Sequence, residues 1–118
     1  MNPNMYLAAW GAAGRYAAAP VPRPFHLSRG LQAILPAERN AIYVACTRDG
    51  VIDYVGSTRR TAHTRAGEHV RKPSRGKTWD TLWVIPLRES TPEGIVRQLE
   101  GRVGRLLRPA SNRRLPRS

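Results

Sequence analysis

The segment 41–56, AIYVACTRDGVIDYVG, constrains the fold more than any other part of the chain. Valine, isoleucine and tyrosine are dense on both sides of Asp49-Gly50, a dipeptide that favours a two-residue hairpin loop because both turn residues tolerate positive φ. The predicted register sets Arg48 opposite Val51, Cys46 opposite Asp53, Ala45 opposite Tyr54 and Tyr43 opposite Gly56. Side chains alternate between faces along a strand. Ile42, Val44, Cys46, Val51 and Val55 then form the buried face. Ala41, Tyr43, Ala45, Ile52, Tyr54 and Gly56 form the other, where Tyr43 and Tyr54 are diagonal neighbours with room left by alanine and glycine. Two phenols on an uncrowded sheet face point to a site, although paired tyrosines are also simply good strand residues.

A chain of 118 residues holds one domain with a tail. Residues 41–115 are expected to form it, with a core near the lower limit for an unstapled fold. Residues 1–40 read differently. They are rich in alanine and proline, and the first acidic residue is Glu38. Met5 to Ala13 suits a short helix with Tyr6, Leu7 and Trp10 on one side. Pro20, Pro22 and Pro24 then enforce an extended segment, and Ser28 to Leu35 suits another turn or two of helix. The expectation is a loosely ordered arm with Trp10 or Phe25 docking on the domain. A signal peptide fits poorly, since no positive charge precedes Arg15.

Beyond the hairpin, a helix is expected from about Thr61 to Arg71, ended by Pro73. Ala62, Ala66 and Val70 form its apolar stripe, and Arg65 and His69 lie one turn apart on the edge of that stripe. They either point into a cleft beside the sheet or form a charged edge with the stem of Arg65 lying over the core. Residues 72–78 form a basic loop. Residues 79–87, WDTLWVIPL, read as a third strand whose Pro86 end lies at a sheet edge. Thr91-Pro92 then reads as a helix start, with threonine as N-cap and proline in the first turn. Val96, Leu99, Val103, Leu106 and Leu107 form the helix's apolar stripe. Glu100 lies on the margin of that stripe. It is either half of a local salt bridge to Arg97 or Arg105, or a hard-oxygen ligand for magnesium, which binds one or two carboxylates together with phosphate and water.

Charge narrows the partner. Twenty basic residues against eight acidic give +12, and only Lys72 and Lys77 of the twenty are lysine. Arginine's planar fork matches phosphate oxygens two at a time, so a small arginine-dominated chain points to nucleic acid. The single Cys46 excludes an internal disulfide and a cysteine zinc site. His26, His63 and His69 have no chelating partner at useful spacing. No apolar run is long enough to cross a bilayer.

Together these residues resemble the GIY-YIG nuclease superfamily. Ala41-Ile42-Tyr43 matches the first motif and Tyr54-Val55-Gly56 the second. Arg65 matches the helical arginine, with His69 four residues on, and Glu100 the metal-binding glutamate. Pro109-Ala110-Ser111-Asn112 resembles the closing proline and asparagine. The likeness covers residues 41–112. Ala41 stands where the family usually has glycine, and Val55 where it has isoleucine; no second domain that would choose a target is recognisable.

The resemblance implies an α+β domain, a small three-stranded antiparallel sheet flanked by helices, that hydrolyses phosphodiester bonds in DNA as an intracellular, nucleoid-associated endonuclease. RNA stays open as a substrate, and no membrane or small-molecule cofactor is expected. In that reading Glu100 holds Mg²⁺ or Mn²⁺. Arg65 supplies positive charge where negative charge grows. Tyr43 is the general base, with His69 as rival or partner. A free phenol has a pKa of ~10 and needs surrounding cations to lower it. Tyr54 orients water or phosphate, while Gly56 and Asn112 support the site. Arg59, Arg60, Arg71, Lys72, Arg75, Lys77, Arg113 and Arg114 supply phosphate contacts with little sequence choice. The alternatives are a non-catalytic nucleic-acid-binding module on the same scaffold, and a basic ribonucleoprotein component.

Overall fold

The computed structural model describes residues 1–27, 40–58 and 79–110. Four strands, β1 (Phe25–His26), β2 (Ala41–Thr47), β3 (Ile52–Thr58) and β4 (Trp79–Pro86), form one antiparallel sheet in the order β1-β4-β2-β3. Two helices, α1 (Pro3–Ala12) and α2 (Glu93–Leu107), complete the described α+β fold. No helix among the described residues is long and apolar enough to cross a membrane.

The hairpin forms in the expected place, with a longer turn. Gly50 N–H donates to the Thr47 carbonyl at 2.9 Å and Thr47 N–H to the Val51 carbonyl at 3.0 Å, so Arg48, Asp49 and Gly50 make the loop. Only Gly50 takes a positive φ, +82°, rather than both residues of Asp49-Gly50. This is the pattern of a three-residue hairpin closing on a left-handed glycine. Tyr43 pairs with Gly56 and Ala45 with Tyr54 as predicted, but Cys46 pairs with Ile52 and not Asp53. Asp53 is the extra residue of a bulge, which switches the faces of the residues before it. Ile52 therefore packs beside Val44 and Cys46, not with the tyrosines. Val51, expected in the core, is 51% exposed.

Both faces of the sheet are buried, where the sequence pattern led us to expect one. Ile42, Val44, Cys46, Val55, Trp83 and Ile85 pack under Val96, Leu99 and Val103 of α2 and Tyr6 and Ala9 of α1. On the other face Phe25, Ala41, Tyr43, Ala45, Leu82 and Val84 form a second cluster. Interior strands covered on both sides read as unbroken apolar runs, which is how 41–46, AIYVAC, reads. Within the first cluster burial pushes the Cys46 thiol up, which keeps it protonated and unreactive.

The amino-terminal segment is the largest departure. Instead of a loose arm, it supplies a helix, a strand and part of the main core. Asn2 Oδ1 caps α1 by accepting from Met5 N–H at 2.8 Å, and Pro3 opens the helix. Tyr6, Ala9, Ala13 and Ala17 are buried, while Leu7, expected on the inner side, is 42% exposed. Alanines lining one side let the helix lie close to its neighbours, with Tyr6 as the one large anchor. The Tyr6 hydroxyl donates to the Val84 carbonyl at 2.7 Å and accepts from Val21 N–H at 2.9 Å. Trp10 Nε1 donates to the Ala18 carbonyl at 2.7 Å. The prolines hold the following segment extended, and Phe25-His26 pairs with Leu82 and Thr81 as a fourth strand. Tyr6→Phe is accordingly expected to cost about 1–3 kcal/mol by leaving Val21 N–H and the Val84 carbonyl without this partner; an unfolding midpoint equal to wild type would show the helix is not anchored this way.

Two smaller expectations also change. β4 lies between β1 and β2 rather than at an edge, and Pro86 is simply its last residue. The cap of α2 is Pro92, with no side-chain hydrogen bond. Thr91 is buried, and its hydroxyl donates back to the Arg88 carbonyl at 2.6 Å. Asn40 Nδ2 holds the same turn through the carbonyls of Arg88 at 3.2 Å and Glu89 at 3.0 Å. Along α2 the stripe Val96, Leu99 and Val103 is buried, but Leu106 is 51% exposed. At about 100° per residue only Leu107 of the last pair turns inward.

Candidate active site

Tyr43 stands on the interior strand β2 and Tyr54 on β3, the edge strand of the described sheet. Their rings stack with centroids 6.1 Å apart and planes 28° apart. Trp79 extends the row, its centroid 5.5 Å from that of Tyr54, and its Nε1 donates to Asp53 Oδ2 at 2.7 Å. The face is therefore an aromatic layer, not an open platform. Tyr43 is 1% exposed, whereas Tyr54 is half-buried.

Gly56 explains how Tyr43 fits. The ring lies directly over the Gly56 Cα, and a Cβ at that position would overlap Cζ and the hydroxyl and fall 2.9 Å from Cε1. Any side chain there displaces the phenol. Glycine in this strand marks close approach of a ring rather than a turn.

Glu100 approaches β3 from the other side. Val55 and Ser57 point toward α2 because they alternate with Tyr54 and Gly56, and Val55 packs in the cluster under α2. Ser57 Oγ donates to Glu100 Oε1 at 2.6 Å, a short charge-assisted bond. Among the described residues no arginine pairs with this carboxylate: Arg97 and Arg105, the expected partners, are exposed. The phenols and the carboxylate thus lie on opposite sides of one edge strand, on the adjacent residues Gly56 and Ser57.

The rest of the expected site, Arg65, His69 and Asn112, lies outside the described residues, as do Arg59, Arg60, Arg71, Lys72, Arg75, Lys77, Arg113 and Arg114. Among the described residues no three of His, Cys, Asp and Glu gather to hold a metal. Glu100 is a half-buried carboxylate held by one hydroxyl, a hard-oxygen donor of the kind magnesium uses singly with phosphate and water. Ser57 was missed from the sequence. Its signal was available: once Val55 faces the helix, period-two alternation puts Ser57 there too, on the side of the sheet that Glu100 approaches.

No family model, curated protein or solved structure matches the chain.

Proposed function

We propose that the chain is a metal-dependent endonuclease of the GIY-YIG kind that hydrolyses phosphodiester bonds in DNA. The observation that carries this reading is the register Tyr43↔Gly56, with the ring over that glycine and Ser57, the next residue, holding Glu100. A phosphate at the outer margin of β3 would meet Tyr54 on one side of the strand and Glu100 on the other. The +12 charge supplies attraction to such a partner.

Glu100 would hold Mg²⁺ or Mn²⁺. The bound ion would neutralise charge on the scissile phosphate and its leaving oxygen. Ser57 keeps the carboxylate turned toward β3. Arg65 would add fixed positive charge, and Asn112 would brace the chain end after α2. The burial difference changes the division of labour between the tyrosines. Tyr54 is the phenol that solvent reaches, so it is the better placed to orient or deprotonate water, with His69 as partner. Tyr43 lies beneath it and positions its ring.

Comparison of two conservative variants tests this. Tyr54→Phe is expected to lower the single-turnover cleavage rate about a hundredfold or more with little change in stability. Tyr43→Phe is expected to cost less in rate. The reverse order would return the base to Tyr43.

A non-catalytic nucleic-acid-binding module is the second reading. Tyr43 at 1% exposure in an aromatic layer is what a purely structural tyrosine shows. That reading expects salt-sensitive DNA binding and no cleavage with any divalent metal.

A further inference from the structure

Charge of both signs lies at each end of the sheet: Arg48 and Asp49 share the hairpin turn, and Glu89 and Glu93 follow Arg88 at the other. Asp53 and Asp80 lie at the hairpin end, where Cys46 pairs with Thr81 and Thr47 with Trp79, and Asp49 is in the turn itself. At the opposite end β4 runs out into Arg88, and the carboxyl-terminal end of α1 is surrounded by arginine. Arg88 Nε donates to the Arg15 carbonyl at 2.9 Å. Arg102 Nη1 donates to the Ala12 carbonyl at 3.3 Å. The Arg15 guanidinium lies 5.1 Å from the centroid of the Tyr16 ring and donates to its hydroxyl at 3.0 Å. Arg105, one turn further along α2, lies toward the hairpin end, where Ala110 N–H donates to the Ile52 carbonyl at 3.1 Å. All four are exposed, and among the described residues none of them pairs with a carboxylate.

We propose that Arg15, Arg88 and Arg102 bind backbone phosphates of duplex DNA, forming a second binding surface on the helix side of the sheet, away from the tyrosine face. The inference rests on the nucleic-acid part of the reading above and not on cleavage. The fold uses one donor of Arg88 and one of Arg102 on the carbonyls of Arg15 and Ala12, and a positive group near a helix carboxyl terminus is favourable. It leaves their other donors unused, and three like charges gathered at one helix end repel one another. A polyanion removes that repulsion.

Preorganisation favours a duplex over a lipid surface. Arg88 and Arg102 each use one N–H on a backbone carbonyl, and Arg15 rests on a ring, so the forks are held before a ligand arrives. Each guanidinium carries five donors, which leaves most of them for phosphate. Anchored forks suit phosphates held at fixed positions, as in a duplex, better than the mobile ones of a fluid headgroup layer. The surface also gives the amino-terminal segment, which lies outside the GIY-YIG-like residues, a share in binding.

The test is a titration of labelled duplex DNA with the full chain, in chelator, across a range of salt. Replacing Arg15, Arg88 and Arg102 together by Gln is expected to lower the slope of log K against log salt by about 2–3, since each phosphate that is no longer neutralised removes ~0.9. Affinity at physiological salt should fall about tenfold or more. The corresponding triple Lys variant should keep the slope. Arg48→Gln, a single charge change in the hairpin turn to set beside Arg15→Gln, should keep it too. If the triple Gln variant melts early, Arg15→Gln alone, whose guanidinium is exposed and bonded to the Tyr16 hydroxyl, should still lower the slope by about one. An unchanged slope in the Gln variants, a fall for Arg48→Gln equal to that for Arg15→Gln, or tighter binding of anionic phosphatidylserine vesicles than of the duplex overturns the proposal. Absence of magnesium-dependent cleavage by the wild-type chain would remove the nuclease reading and leave the slope result standing.

Discussion

Glu100→Ala is expected to lose at least about a thousandfold in cleavage rate, about 4 kcal/mol of transition-state stabilisation, while the chain stays folded. The side chain is half-buried and is hydrogen-bonded to the sheet through the Ser57 hydroxyl. Truncation therefore removes little packing, and Leu99 and Val103 still hold α2 to the sheet. Ser57→Ala should cost less, about tenfold, because it only frees the carboxylate to turn away. Single-turnover cleavage with magnesium, beside circular dichroism and an unfolding midpoint, separates the two effects. Wild-type cleavage by a folded, homogeneous Glu100→Ala protein would show that this carboxylate holds no catalytic metal.

Gly56→Ala is expected to be the most damaging of the small substitutions. The added methyl would occupy space now filled by the Tyr43 ring. The backbone cannot yield easily, since Gly56 pairs with Tyr43 in the ladder and Val55 is buried beside it. The ring must move instead, which breaks its stacking on Tyr54 and opens the second cluster. Overpacking of this kind costs about 1–3 kcal/mol, a fall in Tm of about 5–15 °C for a domain of this size. Cleavage should fall with it, because both phenols shift. A thermal melt of Gly56→Ala within about one degree of wild type would mean that the ring is not seated on that glycine.

The central part of this structure was readable because one physical rule dominates it. Strand alternation around Asp49-Gly50 gives the pairs Tyr43↔Gly56 and Ala45↔Tyr54 directly. The stripe Val96, Leu99, Val103 likewise gives the inner side of α2. The bulge at Asp53 carries no comparable signal, so alternation alone puts Ile52 and Val51 on the wrong sides. The amino-terminal helix escapes the pattern for a different reason. Its buried side is Tyr6, Ala9 and Ala13, and alanine marks a close helix approach only when the neighbouring surface is known. Proline-rich sequence before Phe25 signals extended chain, but not that the chain will find an unpaired edge of β4. Thr91 reads as a cap by residue type, yet its hydroxyl serves the turn that Asn40 organises from a distant position. In the site, the tyrosine pair and the glycine follow from local pattern, while the Ser57–Glu100 hydrogen bond depends on the docking of α2.

The central claim is that groups on the two sides of β3 act together on a phosphodiester. Incubating the purified wild-type chain with supercoiled plasmid, with magnesium and then with chelator, tests it most directly. Nicked and linear products that appear with magnesium and vanish with chelator are the predicted result. Intact plasmid with both magnesium and manganese, under conditions where the same protein binds that DNA, would contradict it.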